Sequence, residues 1–346
     1  MKGIRSCLLI IFIAAFINAC ALREVQDTGS ASANQLFLSE SIAESADTLE
    51  DDHTNTAAVV EPDPSQTESI HGIEIVEYVN PYRVSEYYDL TEDQQAAFSL
   101  LCEALNDIIK NGPVPNKSYS LPEGITWFDY KLALNLLKAN YPVMENFISN
   151  IIYEDRIDEV SGIKYCEGFY LYGYDVEFLE HEYLRFCEIS RKAYEILAAL
   201  VHDGTEYGKA YSIAKWMVDH ITYPDDYRER VEDYLSTAYT ALTSNEAICG
   251  GYARTFDFLC KKAGLETIYL DGLDHVWNMI RIDEKWYHID VTWMDSEDDI
   301  LKYFMMTDSI CDATGHKEWS YYWDQENNIS ISPIADSDDL YHLSDE

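Results

Sequence analysis

Cys249, His275 and Asp290 are the residue types that nucleophilic catalysis requires, in the C-terminal part of the chain. A thiol supplies the attacking atom and an imidazole removes its proton. A carboxylate fixes the tautomer and direction of that imidazole. The same three side chains could also hold zinc, but no two cysteines have the C-x-x-C spacing of a zinc or redox site. Outside Cys7 and Cys20 there are six cysteines (Cys102, Cys166, Cys187, Cys249, Cys260 and Cys311). With Cys249 reserved as a working thiol the rest cannot all pair, and buried apolar thiols are expected.

Chemistry at Cys249 depends on its place near a helix start. Ile248–Ala263 reads as an amphipathic helix, with Tyr252, Phe256, Leu259 and Ala263 on one stripe and Gly264 as its stop. Unpaired N–H groups and the positive dipole end at such a start favour a thiolate. Thr243 with Glu246 would form a capping box, whereas Asn245 would cap a later start. Gly250 and Gly251 are expected to leave room for a substrate backbone beside the sulfur.

His275 and Asp290 need a hairpin. Glu266–Leu270, His275–Ile282 and Lys285–Trp293 read as strands. If Asp283 and Glu284 form the turn, Ile282 pairs with Lys285, His275 faces Thr292 and Asp290 faces Trp277. His275, Trp277, Asp290 and Thr292 then share one side; Val276, Ile280, Ile289 and Val291 form the other, a core face. The histidine and aspartate become diagonal neighbours, ~7–8 Å apart at Cα, with side chains in reach. A four-residue loop keeps this parity and a three-residue loop breaks it.

Upstream, Thr91 with Glu92 and Asp93 opens a helix to about Lys110, ended by Asn111-Gly112-Pro113. Helices are also expected over 126–137, 176–201 and 206–221, with strands within the tyrosine-rich 147–175. Helices followed by a small antiparallel sheet make the fold class α+β.

Composition sets outer bounds. An apolar fraction of 47% and 27 tyrosines suit a folded globule. A formal charge of −39 repels nucleic acid, so no nucleic-acid role is expected. Lys2 and Arg5 precede an apolar run, Leu8–Ile17, too short to span a bilayer and of signal-peptide length. It leads to Ile17-Asn18-Ala19-Cys20, which resembles a bacterial lipobox whose cysteine is acylated; cleavage after Ala19 or Ala21 is the alternative. The expected layout is a signal peptide at 1–19 and a disordered acidic tether at 20–75. A mainly helical region at 76–205, a catalytic core at 206–325 and an acidic tail at 326–346 follow. This layout places the protein outside the cytoplasm, on the membrane through a lipid at Cys20, or secreted if that lipid is absent.

Ala247-Ile248-Cys249-Gly250-Gly251-Tyr252-Ala253 resembles the nucleophile motif of bacterial transglutaminase-like proteins. His275-Val276-Trp277-Asn278 is similar to that family's His-Ala-Trp-Asn motif, with valine replacing alanine, and Trp286–Trp293 resembles its aspartate motif. Lys302-Tyr303-Phe304 with Asp308 and His316 resembles the tail of exported bacterial members. The resemblance implies a papain-like core and amide chemistry through an acyl-enzyme, passed to water or to an amine. It implies no cofactor and no metal, since no calcium-loop pattern occurs. It also implies for Tyr239 an assisting role at the oxyanion, with core packing as the alternative, and for Trp277 a place that shields the His–Asp pair or lines the acyl site. The expected partner is a cell-envelope peptide or protein, with peptidase favoured slightly over cross-linking. An inactive surface scaffold keeping the fold is the competing reading.

Overall fold

The computed structural model describes residues 69–70, 73–74, 79, 90–171, 176–230, 234–296, 300–317, 319, 322–324, 329–331 and 334–335. The expected signal peptide, Cys20 and most of the tether lie outside these residues. Near the tether's expected end, β1 (Ser69–Ile70) and β2 (Ile73–Glu74) form a short antiparallel pair. No helix among the described residues is long and apolar enough to cross a membrane.

α1 (Glu92–Asn111) starts at a capping box in which the Thr91 hydroxyl accepts from the Gln94 N–H and the Gln94 side chain accepts from the Thr91 N–H. Phe98, Leu101, Leu105 and Ile108 are buried on its inner stripe. After β3 (Ser118–Ser120), α2 (Trp127–Asn140) begins with a second box, Thr126 with Asp129. The short α3 (Glu145–Ile148) precedes β4 (Ile151–Ile157) and β5 (Lys164–Leu171), and these strands form the antiparallel sheet β3–β5–β4. α4 (Val176–Ala199), α5 (Glu206–His220) and α6 (Ala238–Ser244) follow. Then come α7 (Cys249–Lys262) and a second antiparallel sheet of β6 (Glu266–Asp271), β7 (Val276–Ile282) and β8 (Lys285–Ile289). The α+β reading is met.

Residues from Thr67 onward form one compact unit. The expected helical region and core therefore share a single interior. Phe186 of α4 meets Phe258 of α7 at 5.9 Å between ring centres. Lys192 of α4 donates to the Leu242 carbonyl at 3.0 Å, and Arg254 of α7 pairs with Glu145 of α3 at 2.6 Å.

α7 is not the one-sided amphipathic helix its stripe suggests. Tyr252, Phe256, Leu259 and Ala263 are buried, but so are Thr255, Asp257 and Lys262, and no residue of the helix is exposed. α6 flanks it, and β6 and β7 pack on it. Its interior charge is paired: Asp257 bonds Lys261 and accepts from the Thr267 hydroxyl at 2.9 Å. The described cysteines are all free, five of them buried and Cys187 exposed.

The hairpin register is the one expected, Ile282 opposite Lys285 and Asn278 opposite Ile289. Asp283 (φ 49°) and Glu284 (φ 67°) both adopt the left-handed conformation of a two-residue hairpin turn. The Asp283 N–H donates to Glu206 Oε2 at 2.8 Å, which anchors the turn to the start of α5. The third strand stops early, however. Residues Val291–Asp295 turn into a short helix, α8, with Asp290 as its N-cap. Asp290 thus never pairs with Trp277, nor Thr292 with His275. Both faces of the hairpin are interior, since Trp277, Met279 and His288 on one are as buried as Ile280, Tyr287 and Ile289 on the other.

Beyond it, α9 (Asp308–Thr314) leads to the hairpin β9 (Tyr322–Asp324) with β10 (Ile329–Ile331). The expected tail at 326–346 therefore contains a strand and the buried Ala335. Ala335 exchanges two hydrogen bonds with Asp308: its carbonyl accepts from the Asp308 N–H at 2.8 Å and its N–H donates to Oδ1 at 3.1 Å.

Candidate active site

Cys249 is the first residue of α7 and is 5% exposed. Neither expected cap operates there. Thr243 belongs to α6, Asn245 ends α6 in the left-handed conformation, and the N-cap of α7 is Ile248, which supplies no side-chain bond. The first turn is thus not claimed by a capping side chain, an arrangement suited to an anion.

The two glycines serve a different purpose from the expected one. A Cβ on Gly251 would sit 2.5 Å from the Leu235 carbonyl oxygen and 2.8 Å from Ala247 Cβ. On Gly250 it would sit 3.0 Å from Arg254 Nη1 and 3.1 Å from Ser236 Cβ. The space belongs to the chain's own segment 235–237, which the helix approaches too closely for side chains.

His275 lies just ahead of β7 and is 15% exposed at its side chain. Its Nε2 donates to Asp290 Oδ2 at 2.7 Å. With Nε2 committed, Nδ1 is the nitrogen left to act as a base. The ring lies nearly parallel to Trp293, 5.1 Å away, and to Trp277, 5.8 Å away.

Asp290 is fully buried and accepts from three donors. Besides His275, His316 Nε2 donates to Oδ2 at 2.9 Å, and the Trp293 N–H donates to Oδ1 at 3.1 Å. Burial raises the carboxyl pKa, but the hydrogen bonds from His275 and His316 outweigh it and hold the group below the ordinary carboxylate range. His275, Asp290 and His316 also present donor atoms within 4.8 Å of one another, a set of the type that binds a metal ion. At 2.7 and 2.9 Å the contacts have the length of charge-assisted hydrogen bonds.

A second polar chain lies behind the imidazole. Trp277 Nε1 donates to His288 Nδ1 at 3.1 Å, and His288 Nε2 donates to Asp308 Oδ1 at 2.9 Å. His288 is therefore a neutral imidazole, and burial pushes its pKa below the ordinary value of 6.5.

An open cleft of about 670 Å³ borders His275, lined also by Ile221, Tyr223, Thr292, Trp293 and Asp295. Cys249 is tied to its walls through the chain. The Ala247 N–H donates to the Thr222 carbonyl at 3.1 Å. Within the first turn of α7, the Tyr252 hydroxyl lies 3.0 Å from the Ile221 carbonyl and 2.6 Å from Asp295 Oδ2. Burial raises the Asp295 pKa.

Of the two expected helpers, Tyr239 sits elsewhere, and Trp277 takes the shielding one of its two expected places. The Tyr239 hydroxyl donates to Glu188 Oε2 at 2.9 Å and its ring carries the Arg185 guanidinium, so it is turned to α4. Trp277 is 1% exposed and stands behind His275, whereas the cleft wall is Trp293. Trp293, Tyr252, Asp295 and His316 were not expected at the site. Trp293 had a local signal: it stands three residues after an aspartate, the spacing of an N-cap and its N–H donor.

Residues 196–291, which contain Cys249, His275 and Asp290, match the family model of the Transglutaminase-like superfamily. Among characterised proteins, the kyphoscoliosis peptidases of Mus musculus and Homo sapiens are each 22% identical over 116 residues, 29% of this chain and 18% of the relative. The chain thus spans under a fifth of those relatives' length. A crystal structure described as that of a TGase aligns at a TM-score of 0.29 and 15% identity, covering 44% of this chain and 47% of that one.

Proposed function

We propose that the transglutaminase-like segment of this chain is a thiol enzyme that cleaves or transfers peptide or protein amides, with Cys249 as nucleophile, His275 as base and Asp290 as orienting acid. The observation that carries this reading is the His275–Asp290 bond of 2.7 Å at the edge of an open cleft. It directs Nδ1 away from the carboxylate and fixes the tautomer that a base needs.

In the proposed cycle Nδ1 takes the thiol proton and Sγ attacks the amide carbonyl carbon. Backbone N–H groups at the mouth of α7 stabilise the oxyanion. Collapse breaks the C–N bond, and the imidazolium returns its proton to the leaving amine. The resulting thioester passes its acyl group to water, giving an acid, or to a primary amine, giving a new amide. Hydrolysis is favoured slightly, water being always at hand, and the kyphoscoliosis relatives are named as peptidases. The leader and Cys20 support an exported, membrane-anchored protein, with cell-envelope peptides as its substrates.

The test uses purified full-length protein and its Cys249→Ala variant against cell-envelope peptides. Fragment release and incorporation of a labelled primary amine are followed in parallel. One or both should occur in the wild type and vanish in the variant. Equal rates in the two proteins, or no Cys249 adduct by mass spectrometry, would sink the enzymatic reading.

A further inference from the structure

The three-residue mechanism leaves a fourth side chain unused. His316 is 2% exposed, lies beyond the matched family segment, and places its Nε2 on Asp290 Oδ2, the oxygen that His275 already holds. Its Nδ1 is in turn fixed 3.1 Å from the Thr314 hydroxyl. Its ring centre lies 4.0 Å from that of Trp293 and 4.6 Å from that of Trp277, the two indoles that pack on His275.

We propose that His316 is a positioning residue of this site: it pins the shared carboxylate oxygen, and spaces the two tryptophans, so that Asp290 can hold the His275 imidazolium. The proposal rests on the thiol-enzyme reading. The physical reason lies in the carboxylate's own freedom. Among the described residues Oδ1 is held by the Trp293 N–H, and Oδ2 by two imidazoles from different parts of the chain. Without His316, the carboxylate can rotate about χ2 at the cost of one bond and leave Nε2 of His275 poorly aligned. Because the site is buried, water does not readily fill the gap. His316 exchanges no proton with substrate; it acts through Asp290.

The experiment needs no known substrate. Alkylation by iodoacetamide is followed at Cys249 from pH 5 to 9 by peptide mass spectrometry. Exposed Cys187 serves as the reference thiol within the same molecule. Wild-type Cys249 should react well below the ordinary thiol pKa of about 8.5. His316→Phe should slow that reaction at pH 6 by roughly 10–100-fold, the scale on which outer partners of a working histidine act. Its profile should move towards that of Cys187. His316→Gln, whose amide nitrogen can take the place of Nε2, should restore most of the rate. A loss of packing alone would lower Tm without changing the shape of the pH profile. Wild-type profiles in His316→Phe would overturn the proposal. Asp290→Asn separates the two levels: if it shifts the profile while His316→Phe does not, only the role of His316 falls. If neither shifts it, the triad reading falls too.

Discussion

Gly251→Ala should destabilise the protein more than Gly250→Ala next door, although both substitutions raise helix propensity. At Gly251 the new Cβ would stand 2.5 Å from the Leu235 carbonyl oxygen, and that carbonyl already accepts from the Ile248 N–H at 3.0 Å. Restoring an ordinary carbon–oxygen contact requires a displacement of roughly 0.8 Å. That movement breaks a bond worth about 0.5–1.5 kcal/mol. Forcing a methyl group into a packed interior adds about 1–3 kcal/mol. The gain from replacing glycine in a helix is at most about 1 kcal/mol. The balance is a loss of roughly 1–3 kcal/mol. At Gly250 the contacts are longer: Arg254 Nη1 at 3.0 Å, Ser236 Cβ at 3.1 Å and the Ser236 carbonyl oxygen at 3.3 Å. These need a shift of only a few tenths of an ångström, so the cost should be smaller than at Gly251, and propensity offsets about 1 kcal/mol of it. In a unit of this size each kcal/mol moves Tm by roughly 2–4 °C. Gly251→Ala should therefore melt several degrees below Gly250→Ala, with the same ordering in urea at constant m. Equal stability of the two variants would refute the assignment of this space to the protein's own backbone.

Acidification should weaken the fold in two steps. His288 has its pKa lowered by burial, so below about 6.5 the unfolded chain binds a proton that the native state resists, and stability falls as pH drops. His288→Phe should flatten this limb in unfolding measurements between pH 7.5 and 5; an unchanged slope would count against a neutral His288. Asp290 and Asp308 are held below the ordinary carboxylate range, against burial, by their histidine partners. Their contribution should be present above about pH 4 and lost below it, readable as steeper acid unfolding. Arg254 bonds Glu145, the Ser236 carbonyl and the Tyr269 hydroxyl, and reaches the carbonyl of Gly250, next to Cys249, at 3.5 Å. Arg254→Met should lower stability by about 1–3 kcal/mol and slow alkylation of Cys249 at neutral pH; unchanged alkylation would show that its charge does not reach the sulfur.

The hairpin beneath His275 and Asp290 was legible because its signals are local. The 283–284 turn and the alternating pattern gave the right register. The strand's early end was illegible for a tertiary reason. Val291, Thr292 and Trp293 are strand-forming types, but the Asp290 carboxylate caps a helix turn, and the Asp290 N–H is drawn to the Tyr303 carbonyl at 3.0 Å. Tyr239 misled for a similar reason: nothing near it in sequence announces Glu188 on a different helix. His316 belonged to the tail resemblance, but its partner was not legible, because that partner lies 26 residues away and no periodic pattern links the two. The use of Gly250 and Gly251 also depends on a distant neighbour, the 235–237 segment, whose closeness no pattern records.

A thiol mounted on a helix that has no exposed residue cannot be adjusted from outside. Nearly every position of α7 is held by neighbours on all sides, so a substitution there is transmitted to the sulfur as a change of place. Variation that alters what the protein accepts, while leaving its chemistry intact, must be written into the rim of the cleft. β4, exposed along almost its whole length, is correspondingly free to change at no expense to the thiol.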